Sequence, residues 1–273
     1  DGGDVGSQRI QVNGILSTRS LVAQANNSES ITVDPTGKFV YSVGTTGSFI
    51  ASYTVNQTTG VLTFVNSVAN GLTSRWVRVH PYANFAYVID GTTGSECIRV
   101  YGINSTTGSL TASSQYNLAT AGTPEQLAIH PNGNFLYSTD RTASKFRKFD
   151  LDAVTGVLSG EVVFSGLPFG PEHVVISPSG KYLYVAGQSS TTIRLYNINQ
   201  TTGALTFVID YTATNNVSDM VIDTSENFIV VSNFGSNLYQ VFRVSPIDGT
   251  LTSIANGSTG GSGANTIAIT GSN

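Results

Sequence analysis

Ser177-Pro-Ser-Gly-Lys-Tyr-Leu-Tyr-Val185 decides the fold. A proline turn closed by glycine runs directly into an apolar and aromatic stretch, which is the pattern of a tight turn feeding a β-strand. Working outward, residues 173–177, 182–186, 192–197 and 205–211 read as four strands rich in apolar, β-branched and aromatic residues. The segments between them, Pro178-Ser-Gly180, Gly187-Gln-Ser-Ser190 and Asn199-Gln-Thr-Thr-Gly203, are too short for helices and rich in turn formers. They predict an antiparallel meander.

The same turn recurs along the chain. Asp34-Pro-Thr-Gly37, His80-Pro-Tyr-Ala83, His130-Pro-Asn-Gly133, Ser177-Pro-Ser-Gly180 and the degraded Asp223-Thr-Ser-Glu226 lead to a sixth start at Thr270-Gly271, spaced 46, 50, 47, 46 and 47 residues apart. A second anchor, Gly followed two residues later by Leu, falls at Gly14, Gly60, Gly108, Gly156, Gly203 and Gly249, with spacings of 46, 48, 48, 47 and 46. Two separate registers with one period mark a repeat architecture, and four strands per period of this length predict an all-β chain folded as a β-propeller of four-stranded antiparallel blades. The 273 residues then form one domain, with full blades at about 28–69, 74–118, 124–165, 171–212 and 218–256.

The ends complete the count. Residues 9–12 and 15–22 align with the third and fourth strands of a repeat, and 266–270 with a first strand. A composite blade from 8–22 plus 264–270 would close a six-bladed ring with both termini and remove its open sheet edges. Residues 1–7 read as too glycine-rich and polar to supply the second strand. That leaves a slot which the arm itself, a shift of its neighbours or a strand from another molecule would fill, the last giving self-association by strand donation.

Composition narrows the partners. Charged residues are 11% of the chain, against about 25% in a typical soluble domain, and the net charge is −4 with 13 basic residues scattered singly. No basic stripe exists to neutralise phosphates, so nucleic acid is not an expected partner. No apolar run reaches the roughly 20 residues that cross a bilayer. The first residue is Asp1, the expected outcome of signal-peptide removal. Asn26, Asn56, Asn104, Asn199, Asn216 and Asn256 each stand two residues before Ser or Thr, and with the low lysine content they predict an extracellular or cell-surface glycoprotein, or a periplasmic protein. Turn chemistry alone accounts for Asn56, Asn104 and Asn199. The single Cys97 lies in a predicted strand and reads as a buried thiol.

Gly170-Pro-Glu-His173, the 177–185 stretch and Thr201-Thr-Gly-Ala-Leu205 resemble the lactonase-type propellers, which include phosphogluconolactonases, carboxymuconate-cyclase-like proteins and surface proteins with Tyr-Val-Thr-Asn repeats. The resemblance spans all five full repeats and implies a propeller, usually of seven blades. In the lactonases the pocket motifs are Gly-Pro-Arg-His, Asn-Glu and Asn-Arg; the matching positions here are Gly170-Pro171-Glu172-His173, Gly187-Gln188 and Asp140-Arg141. Of the pocket groups that the resemblance implies, His173 and Arg141 are kept, as candidates for catalysis only if the chain is a hydrolase. The chain also sets an anion where the family has the arginine, and at Gln188 a side chain that accepts no proton as a base.

Repeat alignment gathers further candidates at the mouth of the expected channel. Six residues before each anchor proline stand Glu29, Arg75, Glu125 and Glu172, then Ser218 and Asn265; the second strands end on Gly44, Asp90, Asp140, Gly187 and Asn233, with Arg141 and Gln188 just after. For so sparsely charged a chain this is a concentration. It suits a divalent cation such as calcium held by Glu172, Glu125 and Asp140, or a solvated funnel in which Arg75 and Arg141 pair with the acids. No local calcium loop accompanies the first option, so no cofactor is expected. His80 and His130 stand where other repeats have Asp34 and Ser177, which points to turn capping.

Two functions follow. The altered motif and the Thr/Asn-rich exterior predict a secreted or surface-displayed, non-catalytic propeller that binds a protein partner or assembles into a filament or surface layer. The alternative is a lactonase-type hydrolase with altered substrate preference, using His173 and Arg141.

Overall fold

The computed structural model describes residues 5–7, 20–22, 28–44, 48–69, 73–82, 84–92, 94–120, 122–142, 144–187, 189–233, 236–258 and 267. The chain forms two compact units, Asp1–Ala121 with Leu151–Ser159, and Gly122–Asp150 with Gly160–Asn273. Every described element is a strand.

In the first unit β1 (Val5–Ser7) pairs with β2 (Ser20–Val22). Two four-stranded meanders follow. The first is β3 (Ser28–Val33), β4 (Phe39–Gly44), β5 (Phe49–Val55) and β6 (Leu62–Ala69); the second is β7 (Ser74–Val79), β8 (Phe85–Asp90), β9 (Cys97–Ile103) and β10 (Leu110–Asn117). In the second unit lie β11 (Pro124–Ile129), β12 (Phe135–Asp140), β13 (Lys145–Leu151) and β14 (Leu158–Phe164), then β15 (His173–Ile176), β16 (Tyr182–Ala186), β17 (Thr192–Ile198) and β18 (Leu205–Thr212). Its third sheet is β19 (Val217–Ile222), β20 (Phe228–Asn233), β21 (Leu238–Val244) and β22 (Leu251–Ser258). The five sheets are antiparallel, and neighbours in sequence are neighbours in space.

The anchor turns form because a side chain at their first position accepts backbone amides. Asp34 Oδ1 takes the Phe39 amide at 2.7 Å, Ser177 Oγ takes that of Tyr182 at 3.2 Å, and His80 and His130 each take an amide two residues on through Nδ1 at 3.1 Å. Both histidines are turn caps. The degraded copy keeps the geometry without glycine: Glu226 holds φ at 59°, in the left-handed region that glycine occupies in Gly37, Gly133 and Gly180. In the third turns, Asn56, Asn104 and Asn199 each accept two backbone amides through Oδ1, so these sequon asparagines have a structural reason to be there.

Sheets pack face to face through alternating side chains. Tyr184, Ile193 and Leu195 meet Met220, Ile229 and Val231 in one core, while Tyr137 and Phe146 meet Leu183 and Val185 in another. In the first unit Tyr41 and Ile50 pack on Val77 and Val88. Each such buried side chain contributes about 1.5–3 kcal/mol, so the stack of sheet interfaces is the main source of stability.

The N-terminal segment departs from expectation. Val5–Ser7 is a strand although Gly6 lies at its centre, with Val5 opposite Val22 and Ser7 opposite Ser20. Its anchor is Val5, 3% exposed and packed with Val40, Ala51, Tyr53 and Leu62. One buried valine at the right register outweighs two weak strand formers, and residues 5–7 are therefore not a free arm. The rest of the expected composite blade, 8–19 and 264–270 apart from Ile267, lies outside the described residues.

Candidate functional site

Strand register gathers the candidate positions. At one end of each sheet the first strand starts beside the end of the second: Ser74 lies opposite Asp90, Pro124 opposite Asp140, His173 opposite Ala186 and Val217 opposite Asn233. What the side chains do there differs from position to position.

Asp90 and Asp140 turn into their own sheets. Asp90, 1% exposed, accepts Arg99 Nε and Nη2 at 3.1 and 2.9 Å, and Asp140 accepts Arg147 Nη1 at 2.8 Å and the Thr123 amide at 2.8 Å. Lys145 stands 3.7 Å from the same Asp140 carboxylate, and Arg147 Nε lies 2.9 Å from Glu161. All are intrasheet ion pairs, joining second to third strands at Asp90 and Asp140 and third to fourth at Glu161. Asp140 therefore does not converge with Glu125 and Glu172 as a ligand set. Among the described residues no three His, Cys, Asp or Glu side chains come together around a point that could hold a metal ion.

In the first unit Glu29 is exposed and Arg75 half-buried. Trp76 beside it carries the Arg78 guanidinium 4.8 Å from its ring centroid, and its Nε1 is buried without a hydrogen-bond partner among the described residues. Gln188 and Asn26 lie outside the described residues.

The second unit assembles a cluster from three sheets. Arg141, just past β12, sets Nε 3.4 Å from Glu125 Oε1 and Nη1 3.2 Å from Glu172 Oε1. His173, next to Glu172 at the start of β15, has Nε2 4.0 Å from Glu172 Oε2 and Nδ1 3.8 Å from Asp219 Oδ1. Its side chain is 14% exposed, and neither ring nitrogen has a hydrogen-bond partner among the described residues. Burial pushes the imidazole below its usual value, and the Asp219 carboxylate opposes that shift. His173 is thus neutral near pH 7. Three carboxylates, those of Glu125, Glu172 and Asp219, thus gather around the guanidinium of Arg141 and the His173 ring.

The sequence named Glu125, Arg141, Glu172 and His173, and the structure brings these four together. It missed Asp219. The signal was one column further along the repeat, where Ser30, Trp76, Gln126, His173 and Asp219 are equivalent.

Comparison with known proteins completes the picture. The periplasmic gluconolactonase of Pseudomonas aeruginosa superposes with a TM-score of 0.79 at 16% identity, covering 96% of this chain and 79% of that one. A protein from Lactobacillus plantarum gives 0.78 at 25% identity over 94% and 79% of the two chains. A candidate 6-phosphogluconolactonase from Bacteroides uniformis gives 0.75 at 21% identity over 89% and 76%. No curated protein sequence matches. The sequence profile described as "Lactonase, 7-bladed beta-propeller" matches residues 7–124 and 68–213, most of the chain, and five of the four-stranded sheets lie among the described residues. The chain is an all-β propeller and belongs to the lactonase family of 7-bladed β-propellers.

Proposed function

We propose that the protein is a lactonase-type hydrolase that opens uncharged lactones, with His173 as general base. The observation that carries this reading is the setting of His173: nearly enclosed, neither ring nitrogen hydrogen-bonded among the described residues, burial favouring its neutral form, and two carboxylates beside it that stabilise an imidazolium. Such a group takes a proton from water as the oxygen adds to the lactone carbonyl, then returns it to the ring oxygen as the C–O bond breaks. Arg141 holds Nε and Nη1 against carboxylates and leaves Nη2 in neither pair, so one donor can face the carbonyl oxygen.

Charge sets the substrate preference. Glu125 and Glu172 stand where an anionic substituent would approach Arg141, so a phosphorylated or carboxylated lactone meets carboxylates there and is repelled. The hydroxy acid product ionises as it forms, and the same field favours its release. A non-catalytic assembly subunit, the first expectation from sequence, gives way to this reading because family and site both favour hydrolysis. The sequons and polar exterior suit a location outside the cytoplasm. The test is a rate comparison on an uncharged and a phosphorylated aldonolactone, repeated with Glu125→Gln, Glu172→Gln. Preference for the uncharged lactone, narrowed in the double variant, supports the proposal; a wild-type preference for the phosphorylated one contradicts it.

A further inference from the structure

A repeated hydrogen bond ties the first strands of successive sheets. The Val77 amide donates to Ser30 Oγ at 3.3 Å, the Val174 amide to Gln126 Oε1, and the Ile267 amide to Asp219 Oδ2 at 3.1 Å. In each case the acceptor is the second column of the mouth, and the donor is the residue just after that column in the next repeat. His173 occupies the same column, and the amide it would receive is that of Met220. That amide instead donates to Asp219 Oδ1 at 2.8 Å.

We infer that Asp219 is the positioning residue of this site: by taking the Met220 amide it releases His173 from the tie that holds Ser30 and Gln126, and it keeps a carboxylate facing the freed ring. Three observations converge on it. Oδ1 is aimed by the Met220 amide and Oδ2 by the Ile267 amide, so the carboxylate is anchored at both oxygens. The same Oδ1 stands 3.8 Å from His173 Nδ1, near enough to pair with an N–H there once the ring is protonated. The imidazole has no other described hydrogen-bond partner, whereas Ser30 and Gln126 are held by the strand amides. Among the charged groups around the ring, Glu172, the residue before it in the chain, is already engaged by Arg141 from the neighbouring sheet, and Glu125 lies beyond that arginine.

This inference rests on the hydrolase reading for its purpose but not for its test. The ring resonances of the chain's 3 histidines can be followed by NMR through a pH titration, with His80 and His130 as internal references. Asp219→Asn removes the charge, and the His173 midpoint is expected to fall by about one pH unit, as for loss of an opposite charge within 4–6 Å, while the other two stay in place. Asp219→Glu is expected to restore the midpoint at least in part. In lactone hydrolysis the acid limb should move with it. An unmoved His173 midpoint in folded Asp219→Asn, with only the melting temperature lowered, overturns the assignment and leaves Asp219 as a strand tie. Absence of lactone turnover in the wild type would remove the hydrolase reading and leave the titration result standing.

Discussion

Gly203 lies against the ring of Phe135, so close that a Cβ on the glycine would sit 2.6 Å from the ring carbons. The relation repeats: Gly156 meets Phe85 and Gly249 meets Tyr182 at the same 2.6 Å, each glycine in a third hairpin turn and each ring at the start of the preceding sheet's second strand. Tyr137 and Tyr184 then donate their hydroxyls to the carbonyls of Gly203 and Gly249 at 2.7 and 2.6 Å. Gly203→Ala is expected to cost about 2–4 kcal/mol, from a positive φ and from overpacking. Gly37→Ala, at φ 70° with nothing within 4 Å, should cost only the backbone share of about 1–2 kcal/mol. Urea unfolding of the two variants checks the difference.

Arg147 is fully buried between Asp140 and Glu161. Replacing it with Met removes the cation between two buried carboxylates and leaves Asp140 with Lys145 at 3.7 Å, which is expected to lower stability by about 3–5 kcal/mol. Arg99→Met should cost less, since Arg99 is 27% exposed and solvent already screens its charge. Denaturant midpoints of both variants measure the contrast.

The displaced His173 equilibrium makes stability depend on pH. Unfolded histidine titrates near pH 6.5, and burial holds the folded value lower. Above about pH 6.5 neither state binds the proton and there is no penalty; as pH falls below it the unfolded state protonates first, so the folded state loses stability until its own lower value is passed. His173→Gln should shrink the drop in melting temperature between pH 7 and pH 5. Calorimetry at the two pH values tests it.

Cys97 is 1% exposed, and burial raises its thiol above the usual value. It is expected to react with a disulfide reagent only after unfolding. Rapid labelling of the native protein at neutral pH would contradict that.

The fold was legible because the repeat is written twice, in the proline turns and in the hairpin glycines, and both anchors have a direct physical cause in the structure. Turn caps such as Asp34 and His130 fix the first, and the aromatic contacts of Gly203 and Gly249 fix the second. Val5–Ser7 was illegible because its stability comes from one buried valine rather than from local preference. At the site, scarce charge singled out Glu125, Arg141 and Glu172, and the resemblance to the lactonase motif added His173. The same rule misassigned Asp90 and Asp140, whose arginine partners stand nine and seven residues later on the third strand and turn them inward. Asp219 escaped because its column holds Ser, Trp, Gln and His in the other repeats. The role shared by Ser30, Gln126 and Asp219 is to accept a neighbouring amide, and a chemically mixed column does not show that.

The central claim is that His173 acts as the base in lactone hydrolysis, and steady-state turnover of an uncharged aldonolactone by the wild type and by His173→Gln tests it most directly. The account predicts measurable ring opening by the wild type and a kcat at least about 100-fold lower in the variant, with both proteins folded by circular dichroism. Equal turnover in the two, or none in the wild type across uncharged lactones of five- and six-membered rings, would contradict it.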